Sequence, residues 1–221
     1  MKAKEHAHHF PKSERHLESI DLGCGAGELL YYFSDLVRVS TGLDYSESML
    51  TQAKERLKGK NIVLTNANAF EYLPDCKHYN WTTTGALNQY LAPIQIYSIL
   101  DIFATNNNAR CFYLFDCIDP LRIALMPYGI GYLPRAKAPK GSALRQFKRF
   151  GHRTLVALRL AWQQFGQPFR KLPGEGMGYG FLPQFWIDAA SSRGLHIELV
   201  SSRFYEYRYH VLLRKAAPTD E

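Results

Sequence analysis

The sequence predicts an α/β fold, a three-layer sandwich built on a mostly parallel sheet. Two observations carry this. Short apolar or β-branched runs alternate with helix-periodic stretches, the order that puts strands in one layer and helices on both of its faces. The first of these runs, SIDL (19–22), enters a turn with Gly23, Gly25 and Gly27 at every second position, and the helix-favouring ELLYYF follows at once. Strand, glycine turn and helix start in that order make a ligand cradle. The backbone there lacks Cβ atoms, and the first N–H groups of the helix point outward.

The elements follow in chain order. After a helix at about 26–36, VRVSTGLD (37–44) is a second strand ending on Asp44, which lies 19 residues beyond Gly25. At that distance an acid on the second strand's tip accepts from both hydroxyls of a ribose. Ser46 starts a helix with Met49, Leu50, Ala53 and Leu57 at helical spacing, closed by Gly59. NIVLTNANAF (61–70) is a third strand running into a turn, and YNWTTTG (79–85), β-branched and aromatic, is a fourth. The loop after it, ALNQYLAP, falls at the strand tips, where ligands of such sheets bind, so Asn88, Gln89 and Tyr90 are the polar side chains expected nearest an acceptor. Pro93 opens a helix through IQIYSILDIFA. ARCFYLFDCIDP (109–120) is the fifth strand, with Asp116 and Asp119 near its tip. FLPQFWIDAASSRG forms a last helix closed by Gly194, and LHIELVSSRF and YEYRYHVLLRK pair as a terminal hairpin.

The glycine turn departs from a dinucleotide site at one position. That fingerprint wants a third glycine three residues after the second, and here Glu28 stands there. A carboxylate in a helix's first turn suits the dipole but repels a pyrophosphate, so the ligand carries little or no phosphate.

DLGCGAGE (21–28) closely resembles the first motif of the class I S-adenosylmethionine-dependent methyltransferases, and GLDYSESML (42–50) resembles their second. The resemblance covers about residues 18–118 and 179–214. It implies a Rossmann-like sheet of seven strands with an antiparallel C-terminal hairpin, and S-adenosylmethionine as cofactor. By it, the backbone of Gly23, Cys24, Gly25 and Gly27 holds the methionyl part, Asp44 the ribose, and Tyr45 and Met49 line the adenine pocket. Asn68, followed by Ala69, stands where the family usually has an acid for the adenine amino group, and its carbonyl oxygen accepts without the charge. Asp21 accepts from the turn's N–H groups or from the cofactor's ammonium.

The 221 residues fit one domain, 1–221, with residues 120–178 inserted as a helical, basic lid or acceptor-binding segment. Residues 121–180 carry a net +10 and the rest of the chain −3. Within the insertion PYGIGYLPRAKAPKG is turn-rich. Ser142 to Gln164 has a helical apolar face, Leu144, Phe147, Gly151, Leu155, Leu158 and Trp162, flanked by Arg145, Arg149, His152 and Arg159. GQPFRKLPGEGMGYG (166–180) reads as a hinged loop. A basic amphipathic helix of this kind is a lid packed on the core, a membrane-surface element or a nucleic-acid binder. No RNA-recognition module accompanies it, which disfavours nucleic acid. A lid over a small-molecule, phosphorylated-sugar or lipid-linked acceptor, with peripheral contact to anionic membrane, joins the first two readings.

Methyl transfer needs positioning and exclusion of water more than a catalytic motif. An oxygen nucleophile still wants a base, and Tyr90, Asp116 and His152 are the candidates. The rival readings are an RNA methyltransferase, a nicotinamide oxidoreductase, against which Glu28 counts, and a non-catalytic S-adenosylmethionine-binding protein. No apolar run reaches the roughly 18 residues of a membrane span, and no signal-peptide core is present. Cys24, Cys76, Cys111 and Cys117 form no CxxC pair, so free thiols in a reducing cytoplasm are expected. No metal site is assigned: His6, His8, His9 and His16 fall in residues 1–17, a polar stretch expected to be a mobile tail with little room for a helix.

Overall fold

A computed structural model describes residues 2–83, 85–125, 166–172, 178–203, 205 and 207–216. In chain order these hold α1 (Lys2–His8), β1 (Ser19–Leu22), α2 (Glu28–Phe33), β2 (Val39–Asp44), α3 (Glu47–Arg56), β3 (Val63–Asn66) and α4 (Ala69–Tyr72). They continue with β4 (Asn80–Thr83), α5 (Gly85–Asn88), α6 (Pro93–Thr105), β5 (Cys111–Ile118) and α7 (Pro120–Leu125). The last group is β6 (Phe169–Lys171), β7 (Tyr179–Phe181), α8 (Pro183–Ser191), β8 (His196–Ser201) and β9 (Arg208–Arg214). Seven strands form one sheet in the order β3-β2-β1-β4-β5-β9-β8. The first five run parallel, and β9 is antiparallel to both β5 and β8. This is the Rossmann-like sheet with a terminal hairpin. The order reverses between β1 and β4, so a crevice opens there outside the strands' C-terminal ends.

β5 is buried along its whole length, and its side chains alternate between two cores. Cys111, Tyr113 and Phe115 face one layer with Leu30 and Phe33 of α2 and Leu50 and Ala53 of α3. Phe112, Leu114 and Cys117 face the other, with Ile96, Ile99 and Phe103 of α6 and Phe185 and Trp186 of α8. Each large apolar side chain so enclosed contributes about 1.5–3 kcal/mol. The alternation breaks at Asp116. Its φ of +58° and a register shift against β9 between Leu114 and Cys117 mark a β-bulge. The extra residue returns Cys117 to the α6–α8 side and turns Asp116 toward α1.

Two expectations are corrected. Residues 1–17 are no tail: α1 packs beside α2, and Phe10, 1% exposed, stacks on Tyr113 at 4.0 Å. Arg15 donates to Ala7 O at 2.8 Å, and Glu14 accepts from Tyr113 Oη and from Arg214, both at 2.6 Å. Polar residues in this stretch thus find partners near the far end of the chain, which no local pattern displays. Second, the stretch read as a hinged loop contains a two-stranded antiparallel ribbon, β6 with β7. Phe181 of this ribbon is buried, and its carbonyl accepts from Tyr209 Oη at 2.5 Å, which in turn accepts from Trp186 Nε1 at 2.9 Å. The predicted basic helix 142–164 lies outside the described residues. Among the described residues no helix is long and apolar enough to cross a membrane.

Candidate functional site

The glycine turn closes between two strand ends. The amides of Gly23 and Cys24 both donate to Leu43 O, at 2.8 and 3.0 Å, tying the turn to β2. Gly25 has φ +54° and, among the described residues, no atom within 4 Å of where a Cβ would stand, so its outer face is open to a ligand. Its amide donates to Asp44 Oδ2 at 2.8 Å, while Ser46 N donates to Oδ1 at 2.8 Å. Each carboxylate oxygen keeps a lone pair for a ribose hydroxyl. The spacing that singled out Asp44 is therefore also the spacing that lets it brace the turn. Cys24 is buried and its thiol is pushed up by that burial, so it packs and does not react.

Asp21 is 2% exposed, and Thr82 Oγ1 donates to its Oδ1 at 3.2 Å. The amides of Gly23, Cys24 and Gly25 go to Leu43 and Asp44 instead, which leaves the cofactor's ammonium as the other partner expected of Asp21. Burial raises its carboxyl to about 7; the Thr82 hydroxyl lowers it and the charge of Asp44 raises it further. A proton or a cation beside Asp21 relieves that burial, and the cofactor's ammonium fits the second need.

On the other wall of the crevice, Tyr45 is 81% and Met49 42% exposed, large apolar surfaces at the end of β2 and the start of α3. Asn66, unremarked in the sequence, donates to Tyr45 O at 3.1 Å and fixes that loop. Asn68 caps α4: its Oδ1 accepts from Phe70 N at 3.0 Å, with Ala69 next in the first turn. The oxygen's second lone pair is what this cap leaves for the amino donor expected of Asn68. An open glycine face, a bivalent carboxylate, a buried acid and two exposed apolar side chains together fit S-adenosylmethionine. Glu28 stays at the surface, 3.5 Å from Arg56, whose Nη1 donates to Ala26 O at 2.5 Å. Arg56 is a brace of the turn that sequence spacing did not reveal, because it comes from α3.

The acceptor candidates separate. Tyr90 is 60% exposed at the end of the α5 turn. Asn88 instead points inward, 3% exposed, with Nδ2 3.4 Å from Phe115 O, and so is no acceptor contact. Gln89 acts through its backbone: its carbonyl accepts from Tyr179 N of β7 at 2.5 Å. A Cβ on Gly178 would come within 1.9 Å of that carbonyl. Asp116 is buried, its carboxylate 3.9 Å from His6 Nε2 and 3.8 Å from Arg208 Nη1. His152 lies outside the described residues. Asp119 accepts from Leu121 N and Arg122 N and caps α7.

Residues 20–102 match the family model described as a methyltransferase domain. No curated protein matches the chain. Among solved structures it is similar to the methyltransferase domain of bacterial CtHen1, at a TM-score of 0.60 and 15% identity, over 98% of this chain and 97% of that one. Mitomycin 7-O-methyltransferase MmcR matches at TM-score 0.59 and 17% identity, over 97% of this chain and 53% of that chain. Human N-acetylserotonin methyltransferase, solved with S-adenosylmethionine, matches at 0.57 and 15%, over 98% and 52%. The fold is that of the class I methyltransferases, whose cofactor is S-adenosylmethionine.

Proposed function

We propose that this S-adenosylmethionine-dependent methyltransferase passes its methyl group to an anionic acceptor, a small molecule or a lipid- or sugar-linked one. The observation that carries this reading is the segregation of charge, +10 in residues 121–180 against −3 elsewhere. The described parts of that segment support it. α7 leaves the tip of β5, and β7 meets the loop that bears Tyr90 through the Gly178–Gln89 contact. Arg170 and Lys171 stand on the same ribbon.

When bound, the cofactor supplies a methyl on a sulfonium, already activated for transfer. The chain's own residues then bind and orient. Asp44 would hold the ribose, Asp21 the ammonium, and the Gly23–Gly27 backbone the methionyl part without side-chain obstruction. Asn68 and Ala69 would hold the adenine, with Tyr45 and Met49 lining its pocket. Tyr90, exposed beside the crevice, takes the acceptor, by stacking or by receiving the proton of an oxygen nucleophile. Much of the rate comes from in-line positioning with water kept out.

Incubating the chain and isotopically labelled S-adenosylmethionine with fractionated extracts tests this, with products found by their added methyl mass. Labelled products confined to acidic small molecules or anionic lipids are expected. Label appearing only in RNA or in cationic compounds would overturn the acceptor class, and cofactor binding without any labelled product would favour a non-catalytic binder.

A further inference from the structure

Five side chains that the proposed methyl transfer does not use converge where α1 crosses the sheet. Glu5 and His6 come from α1, His9 from the turn that follows it, Asp116 from the bulge of β5 and His210 from β9. Glu5 and Asp116 are each 6% exposed, His6 1% and His210 0%. Candidate ligand atoms of His6, Asp116 and His210 lie within 4.8 Å of one another, and so do those of Glu5, His9 and His210.

The hydrogen bonding in this cluster is incomplete. His210 is settled: the amide of Asp116 donates to its Nδ1 at 3.1 Å, so Nε2 carries the ring proton toward Glu5 Oε1, 3.3 Å away. Glu5 Oε1 also accepts from Arg203 N at 2.6 Å. His6 is not settled. Among the described residues neither of its buried ring nitrogens has a hydrogen-bond partner, and nor does Nε2 of His9. Burying such groups unpaired is costly, and native chains seldom do it. His6 is nevertheless held firmly, its ring stacked on Phe115 at 4.3 Å. Its Nε2 is 3.9 Å from Asp116 Oδ1, too far for a hydrogen bond. A dication between them with bonds of about 2.0–2.2 Å closes that gap after a small contraction.

We propose that this cluster is a structural site for a divalent transition metal of the zinc type, with His6 and Asp116 as its principal ligands and His210 in the same triad. Glu5 and His9 stand on the opposite side of His210 and complete the enclosure. The donor chemistry suits the assignment: imidazole and carboxylate, no thiolate, and a buried setting that leaves no position open to substrate. Two carboxylates balance a dication, and Arg208, beside Asp116, opposes it. Ligation through Nδ1 of His210 displaces the Asp116 amide there and leaves the Nε2 proton directed at Glu5, so the metal replaces one hydrogen bond while it supplies His6 with the partner it lacks. Bound, the ion clasps α1 to the neighbouring strands β5 and β9 and joins residues about two hundred positions apart.

The test uses the full chain, stripped with a chelator and then titrated with Zn2+ and, as a visible reporter, Co2+. One equivalent of metal per chain, a cobalt absorption band of low-coordinate type and a raised melting temperature are the expected results. His6→Phe preserves the stacking on Phe115 and is expected to abolish uptake, whereas His8→Ala, at an exposed position, keeps it. A folded wild-type chain that takes up no stoichiometric metal overturns the site. So does a folded His6→Phe chain that binds metal as the wild type does.

Discussion

At the scale of single residues, the two acids of the crevice have different work. Asp44 uses one lone pair of each oxygen on a backbone amide and offers the other outward. Asp44→Ala therefore loses both the brace on Gly25 and the ribose contact, and cofactor affinity measured calorimetrically is expected to fall by about 1.5–3 kcal/mol. A folded variant with unchanged affinity would remove Asp44 from the site. Asp21 is the pH-sensitive one. Its carboxyl titrates near 7 in the folded chain against an ordinary value of 3.8, because it is buried. The folded state thus holds a proton that the unfolded chain has already lost, and stability from this group declines as pH rises from about 4 to about 7. The ammonium favours the ionised form, so binding expels the proton. Cofactor affinity is expected to climb with pH up to about 7 and to level above it, and Asp21→Asn to flatten the profile. An unflattened profile in that variant would assign the titration elsewhere.

Among the elements, the β6–β7 ribbon connects the basic segment to the rest. Its two three-residue strands are short, and it is held by Phe181 in the core, by the Tyr209 hydroxyl and by the amide of Tyr179 on Gln89 O. Gly178 makes that last contact possible, with φ +67° and no room for a Cβ. Gly178→Ala is expected to push the ribbon off the Tyr90 loop. Acceptor KM should then rise while cofactor affinity holds, since the contacts that anchor the ribbon go to the core, Tyr209 and Gln89. A lower melting temperature with unchanged acceptor KM would make the ribbon scaffolding alone.

For the molecule as a whole, the imbalance of charge is the property to test. Changing Arg145, Arg149 and Arg153 to Gln removes three charges from the basic segment. If that segment attracts the acceptor, KM for an anionic acceptor rises and cofactor affinity stays the same. Exposed charges are screened over about 8 Å at physiological ionic strength, so wild-type turnover should also fall with added salt, and the triple variant should respond less. Equal acceptor kinetics for the two proteins across a salt series would count against the lid.

The sequence by itself determined the parts of this protein that depend on neighbours along the chain. Strand and helix periods, the Gly23–Gly25–Gly27 turn and the distance from Gly25 to Asp44 are local, and the sheet, the cradle and the cofactor follow from them. Tertiary structure decided what depends on partners far away. Glu5, His6 and Phe10 look like a polar tail until β5 and β9 pass beneath them, about one hundred and two hundred residues later. Asn88 looks like a loop residue at the crevice until the carbonyl of Phe115 draws it inward. Asp116 looks like a base at a strand tip, and the bulge that turns it toward His6 exists only because β9 pairs out of step with β5. Local patterns record what a backbone prefers; which buried polar groups meet is set by packing, and packing is non-local.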